Sequence, residues 1–170
     1  APSVRENGGL YTHAGTWAIQ AECLMRNAEQ AYELYKSFNP VLRGLKPEIY
    51  FSEPYVTPGN VDGPDSPNYG RGGWTWYTGS GAWYAVVVLN WLLGIRPTSK
   101  GLRVDPVIPK AWPGFKMKRL FRGTTYHISV TNNGQGQGVK ELKVDGKKQP
   151  GDLIPDFQDG QNHRVEVVIG

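Results

Sequence analysis

The chain has 170 residues, of which 39% are hydrophobic, 20% charged and 12% aromatic, the composition of one or two globular domains and not of a disordered or fibrous chain. Its 22 glycines and 13 prolines exceed the roughly 12% of average usage, which forecasts many turns and long shaped loops. The net charge of +4 comes from scattered Lys and Arg without a basic run, so nucleic acid is not an expected partner, and no apolar stretch approaches the ~18 residues of a membrane span.

The chain opens without an initiator Met, in a polar, Gly-containing loop over Ser3–Gly9, and no signal-peptide pattern precedes it. This start predicts a piece of a longer polypeptide. From Gly15 to Phe38 apolar residues recur at helical spacing, with Trp17, Ala21, Leu24, Met25, Ala28, Ala31, Tyr32 and Tyr35 on one stripe, which predicts a single amphipathic helix. Asn39-Pro40 stops it. The single cysteine, Cys23, lies in this stretch; no internal disulfide can form, and a reducing, cytoplasmic setting is the expectation. Residues 41–77 show no sustained period and are punctuated by Pro47, Pro54, Pro58, Pro64 and Pro67, yet carry aromatics from Tyr50 to Trp76, the mark of a functional rather than a disordered loop.

A second helix is expected from about Thr78 to Leu93, apolar almost all round and so buried on most sides, with Gly94 at its C-terminal end and Pro97 just beyond. Short strands come next at Leu102–Val104, Phe115–Phe121, Thr124–Thr131, Val139–Val144 and Arg164–Ile169, with Asp145-Gly146 as a tight-turn signal. The shift in pattern divides the chain into residues 1–96 and 97–170. The layout is α+β: two helices joined by a long aromatic loop, then a small antiparallel β subdomain. Two helices cannot cover their own apolar faces, which again points to partner helices upstream.

The segment from Arg71 through Gly72, Gly73, Trp74, Thr75, Trp76, Tyr77, Thr78, Gly79 and Ser80 runs from a Gly-rich turn into the start of the second helix. Unpaired N–H groups and the partial positive charge of a helix start suit an oxyanion. Thr78 or Ser80 is equally an ordinary N-cap. Trp74 and Trp76 offer flat apolar faces to sugar rings or to a core. His13 precedes the first helix, where it is either structural or a donor to an anion. Glu53, in Phe51-Ser52-Glu53-Pro54-Tyr55, is the foremost carboxylate of the loop, whereas Asp62 and Asp65 have the surroundings of turn residues. A glycosidase needs two placed carboxyl groups, whereas an inverting phosphorylase needs only an acid because phosphate itself attacks. His13, His127 and His163 show no metal-ligand spacing, so no metal and no cofactor is expected.

Glu6-Asn7-Gly8-Gly9-Leu10-Tyr11-Thr12-His13 with Trp17, Glu53-Pro54-Tyr55-Val56, Tyr77-Thr78-Gly79-Ser80 with Trp83, and Leu93-Gly94-Ile95-Arg96-Pro97 followed by Gly101-Leu102-Arg103-Val104-Asp105-Pro106 stand in order. Together they resemble the C-terminal end of glycoside hydrolase family 94, over residues 5 to about 131. The resemblance implies the last helices of an (α/α)6 barrel followed by a jelly-roll-like β subdomain, and an inverting phosphorylase that converts a β-linked gluco-oligosaccharide and phosphate to an α-sugar 1-phosphate. It implies that His13 and Thr78, with Gly79 and Ser80, bind phosphate, and that Arg5 stands near the acceptor sugar. Glu53 matches a motif position and is read as shaping the loop beside the sugar, with Trp74 and Trp76. The family's general acid is an Asp upstream of Glu6-Asn7-Gly8-Gly9, and no position here matches it, so this chain alone is expected to be inactive. Its partners are then oligosaccharide, phosphate and the rest of the barrel, in a family whose members are commonly dimers. Thr57-Pro58-Gly59-Asn60 stands where cellobiose phosphorylases carry a Gln, which points away from cellobiose. The alternatives are a phosphorylase-like transglycosylating module of a cyclic β-1,2-glucan synthase, and a non-catalytic sugar-binding module using residues 98–170.

Overall fold

Each strand expected from alternation forms, and most of the apolar side chains turn inward, Leu120 of the Phe115–Phe121 strand being an exposed exception. A computed structural model describes residues 1–76 and 78–170; the motif position Tyr77 lies outside the described residues. Two compact units result: Ala1–Glu22 with Gln30–Val88, and Cys23–Glu29 with Leu89–Gly170. The fold is α+β.

The first unit holds β1 (Leu10–Tyr11), most of α1 (Thr12–Leu24), most of α2 (Ala28–Phe38), α3 (Pro40–Arg43), α4 (Pro47–Tyr50), β2 (Asn60–Val61), β3 (Gly72–Gly73) and α5 (Ser80–Val87). The single helix expected over Gly15–Phe38 is therefore two. Its break centres on Arg26, which is anchored from outside the helix. Arg26 adopts a left-handed φ of 65°, its N–H donates to the Cys23 carbonyl at 3.1 Å, and its guanidinium pairs with Asp105 at 2.6 Å. Asp105 also receives Arg96 at 2.7 Å. Burial opposes ionisation of that carboxyl, but the two guanidiniums win and hold it below the usual carboxylate range. A charge-assisted anchor thus outweighs one turn of helix in a segment with neither Gly nor Pro.

The buried side of α1 is also not the expected stripe: Thr16, Ile19 and Cys23 are buried, whereas Trp17 and Leu24 on α1 and Met25 just after it are more than half exposed. Likewise α5 is not buried on most sides. Ser80 and Val87 are buried but Trp83 and Val86 are not, and the helix continues as a π-type stretch over Val88–Leu92, whose extra residue per turn shifts the apolar face out of register. Gly94 follows in the left-handed region at φ 68°.

Residues 41–76 are less irregular than their sequence suggests. Asn39 caps α3, its Oδ1 accepting from the N–H groups of Val41 and Leu42 at 2.9 and 3.3 Å, while β1, β2 and β3 form a small antiparallel sheet in that order. Within the unit, Tyr84 of α5 stacks on Tyr35 of α2 with ring centroids 5.4 Å apart. The Tyr84 hydroxyl donates to the Tyr35 carbonyl at 2.7 Å, and burial pushes its pKa well above the usual phenol value.

The second unit holds β4 (Ile95–Thr98), β5 (Gly101–Val104), β6 (Gly114–Phe121), β7 (Thr124–Asn132), β8 (Val139–Val144), β9 (Lys147–Lys148), β10 (Leu153–Pro155) and β11 (Asn162–Ile169). One sheet has the order β10-β5-β4 and the other β6-β7-β11-β8-β9. All pairings are antiparallel except β7 with β11, which run parallel from Thr125 beside Asn162 to Asn132 beside Ile169. Asp145-Gly146 forms the expected two-residue turn, both residues at positive φ. Ile95, Leu102, Ile108, Leu142, Ile154 and Ile169 belong to one continuous buried core between the sheets, each contributing about 1.5–3 kcal/mol relative to exposure. Among the described residues no helix is long and apolar enough to cross a membrane.

Candidate functional site

The N-terminal loop and the loop around residues 59–65 build one scaffold. Ser3 donates from its hydroxyl to Asp65 at 3.0 Å and accepts the Asp65 N–H at 3.2 Å, and the Gly63 N–H donates to the Ser3 carbonyl at 2.7 Å. Asp62 accepts from the Ser66 hydroxyl at 3.0 Å, so both aspartates act as turn residues. Gly59 ties this scaffold to the start of α1 and to β3: its carbonyl receives the Thr12 N–H at 3.0 Å and its own N–H donates to the carbonyls of Gly73 and Trp74 at 2.9 and 3.2 Å.

These links enclose a cavity of about 610 Å³ lined by Arg5, Glu6, Tyr11, Asn60, Trp74 and Thr78 together with Gly8, Gly9 and Gly59, a size suited to a small ligand. The Arg5 guanidinium lies 3.9 Å over the Trp74 ring. Arg5, Trp74 and Trp76 all hold left-handed backbone, at φ 50°, 56° and 70°, a costly region for bulky residues. Strain of this kind gathers where a structure must aim particular side chains. Glu53 supplies part of the restraint: its carboxylate accepts from the Trp76 indole N–H at 3.0 Å and the Thr75 hydroxyl at 3.2 Å. Its own backbone N–H, then Trp76 and Thr75, hold its carboxyl below the usual range. Neither Glu53 nor Trp76 lines the cavity; Glu53 holds Thr75 and Trp76, the two residues after Trp74, and so restrains the loop that carries it.

At the Thr78 end, two helix starts come together. A Cβ at Gly79 would lie 3.7 Å from Cε1 of His13. The His13 ring is framed by Tyr11, Trp17 and Trp83, with centroids 6.2, 5.3 and 5.6 Å away. Among the described residues its buried Nε2 has no hydrogen-bond partner, and neither has the buried hydroxyl of neighbouring Thr12. Buried polar atoms are seldom left unpaired, and here two stand in succession. Thr78 Oγ1 accepts the Ser80 N–H at 3.1 Å and shares a short hydrogen bond with the Ser80 hydroxyl. Ser80 is buried and also reaches the Pro58 carbonyl at 3.4 Å. Its side chain therefore backs Thr78, which stands on the cavity wall.

Of the residues singled out from sequence, Arg5, Trp74 and Thr78 share one cavity, His13 and Gly79 adjoin each other at its Thr78 end, and Glu53, Trp76 and Ser80 support from behind. Sequence reasoning passed over Glu6, Tyr11 and Asn60 as wall residues. Glu6 and Tyr11 sit within the motif that carries His13 and were within reach; Asn60 lies among turn residues and gave no signal. His163, with no ligand spacing in sequence, instead bridges Asp145 at 2.6 Å and Asp159 at 3.0 Å.

Comparison with known proteins gives this geometry a context. The chain is 35% identical over 167 residues to a solabiose phosphorylase of Paenibacillus borealis and 38% identical over 168 residues to an N,N'-diacetylchitobiose phosphorylase of Vibrio furnissii, with 98% of the chain covered in both. It is 42% identical over 135 residues, 78% of its length, to the cyclic beta-(1,2)-glucan synthase NdvB of Rhizobium meliloti. It spans 22% and 21% of the two phosphorylases and 5% of the synthase. Residues 95–148 match the C-terminal domain of glycosyl hydrolase family 65. Residues 1–94, which carry every wall of the cavity, match the catalytic domain of the glycosyl hydrolase 94 superfamily, and the chain belongs to that superfamily.

Proposed function

We propose that the chain is the C-terminal part of an inverting glycoside phosphorylase, whose (α/α)6 barrel is completed by preceding residues and whose β subdomain is jelly-roll-like. The observation that carries the reading is the unpaired, buried Nε2 of His13 beside Gly79 and the start of α5. A phosphate oxygen supplies the missing acceptor. Thr78 adds a hydroxyl with Ser80 behind it, and the α5 N-terminus adds its partial positive charge.

Phosphate held there attacks the anomeric carbon of a β-linked sugar from the face opposite the leaving group. The C–O bond to the acceptor sugar breaks as an upstream Asp transfers its proton to that oxygen, and an α-sugar 1-phosphate results. His13 lowers the cost of bringing phosphate charge against the sugar. Arg5 and Trp74, with Glu53 and Trp76 holding the loop, receive the acceptor. Carbohydrate, phosphate and the rest of the barrel are the partners, the protein acts in the cytoplasm, and the reaction needs no metal or cofactor. The test uses the full polypeptide that carries this chain, a panel of β-linked gluco-oligosaccharides, and an assay for sugar 1-phosphate with and without phosphate. Product should require phosphate and fall about 10²–10³-fold in His13→Ala, the loss typical for removing one charge-stabilising donor, with Thr78→Ala also impaired. Redistribution of oligosaccharides without phosphate would replace this reading by a transglycosylating module, which the 42% identity to the glucan synthase favours as the second reading.

A further inference from the structure

The cavity walled by Arg5, Trp74 and Thr78 has a counterpart in the same unit. A hollow of about 460 Å³ opens where the last turn of α2 meets α3, α4 and the Tyr69–Gly70 corner. Three cations, Lys36, Arg43 and Lys46, line it together with Ser37, and none of its wall residues is a carboxylate. Lys36 is paired with Glu33 at 2.7 Å. Arg43 and Lys46 have no ion pair among the described residues. Cations gathered around one concave, partly desolvated space repel one another and focus their field into it.

The backbone keeps this space open. Gly70 is left-handed, with φ 87°, and a Cβ there would stand 2.8 Å from Cγ2 of Ile49 and 3.5 Å from Nη2 of Arg43. Tyr50 on the wall does not serve as the missing counter-ion. Its hydroxyl donates to the Val56 carbonyl at 3.4 Å, and burial, opposed by nearby Arg43, pushes it up to about 12, so it stays neutral. Facing the cations is an apolar side: Tyr69 is 65% exposed, with Ile49 and Leu42 beside it. The Ser37 hydroxyl donates to the Leu34 carbonyl at 2.7 Å and Lys36 is held by Glu33, so the Arg43 guanidinium and the Lys46 ammonium are the groups that suit a dianion, and an exposed tyrosine ring suits the flat face of a sugar.

We propose that this hollow is a second ligand site, separate from the His13–Thr78 site, for the phosphate monoester of a sugar. The class of ligand rests on the phosphorylase reading, since a sugar 1-phosphate is the product of that reaction; the site's residues do not. Arg43 and Lys46 hold the phosphate and Tyr69 the sugar ring. Inorganic phosphate alone uses half of the site, and an unphosphorylated sugar lacks the group that the cations bind.

Titration calorimetry on the full polypeptide with His13→Ala, which weakens the first site, tests this with glucose 1-phosphate, inorganic phosphate and glucose as separate probes. Glucose 1-phosphate should bind saturably, and Arg43→Gln with Lys46→Gln should weaken it about tenfold or more, the scale of a lost charge-assisted hydrogen bond. Tyr69→Ala should weaken glucose 1-phosphate several-fold and leave inorganic phosphate unchanged. Lys46→Gln alone, at an exposed position, serves should the double variant fail to fold. Absence of saturable binding in the His13→Ala protein, or binding indifferent to the Arg43 and Lys46 changes, overturns the site; equal effects of Tyr69→Ala on both anions overturn the sugar assignment. Failure of the phosphorylase reading is seen separately, as absence of phosphate-dependent product from the unsubstituted enzyme.

Discussion

The two units reach order by different means. In the second, Ile95, Leu102, Tyr126, Leu142, Ile154 and Val165 are buried in one core, and β6, β7 and β11 beside it run for eight or nine residues. In the first, the site is assembled from strands two residues long, from the starts of α1 and α5 and from backbone-to-backbone links through Ser3, Gly59 and Gly63, while Trp17, Trp74 and Trp76 are more than half exposed. One region is held by apolar burial; the other is held by hydrogen bonds and tolerates strain at Arg5, Trp74 and Trp76. The difference is that between a scaffold and a site, because side chains that must meet a ligand cannot also be satisfied by a core.

Substitutions can separate the two. The largest effect on stability belongs to the sheets: Leu142→Ala, at a side chain 1% exposed, should destabilise the second unit by about 2–5 kcal/mol, read by chemical denaturation, with little change in ligand affinity at temperatures where the protein stays folded. Trp74→Gly should behave in the opposite way. It removes a ring from the cavity and should weaken sugar binding roughly tenfold, yet relief of left-handed strain offsets the lost contact with Arg5, so stability should stay within about 0.5 kcal/mol. A fall in stability as large as that of Leu142→Ala would make Trp74 part of the scaffold and break the comparison.

The smallest effect concerns pH. The Asp145 hydrogen bond, followed by that from Asp159 and against the opposing effect of burial, raises the His163 pKa. Its contribution to stability is therefore complete below the unfolded value of about 6.5 and is lost as pH rises through the raised folded value. Asp145 is lowered by His163 and the Arg164 N–H, and Asp159 by the Gln161 N–H and then His163; their contributions hold above about 3.9 and disappear as pH falls through the depressed values. Both carboxylates are partly exposed, so salt should shrink the effect. Denaturation midpoints from pH 5 to 9 should decline slightly on the alkaline side, and His163→Gln should flatten that decline; an unchanged profile would mean that the bridge carries no linkage.

How far the sequence could be read obeys the same division. All five strands inferred from alternation are present, because burial of one sheet face writes itself into a period of two. The parallel pairing of β7 with β11 left no comparable trace, since alternation tells which face of a strand is buried and not which strand lies beside it. The break near Arg26 was not visible either, because its cause, Asp105, lies 79 residues away. In the site, the starts of α1 and α5 could be located from periodicity and capping residues, and the motif resemblance supplied roles for His13 and Thr78. That Glu53 would restrain Trp76, or that Ser80 would back Thr78, depends on the path of residues 51–80, for which no periodicity exists.

The position of β11 has a consequence for how the second unit is made. It lies third in its sheet, flanked by β7 and β8, although it follows all four of the other strands in the chain. During vectorial synthesis β6 with β7, and β8 with β9, can close as two separate ribbons, but neither can join the other until residues 162–169 leave the ribosome. Until then the inner edges of both ribbons stay open to foreign strands. The nascent sheet therefore spends its waiting time as two sticky halves, and β11, which emerges after both, works as the zipper that joins them.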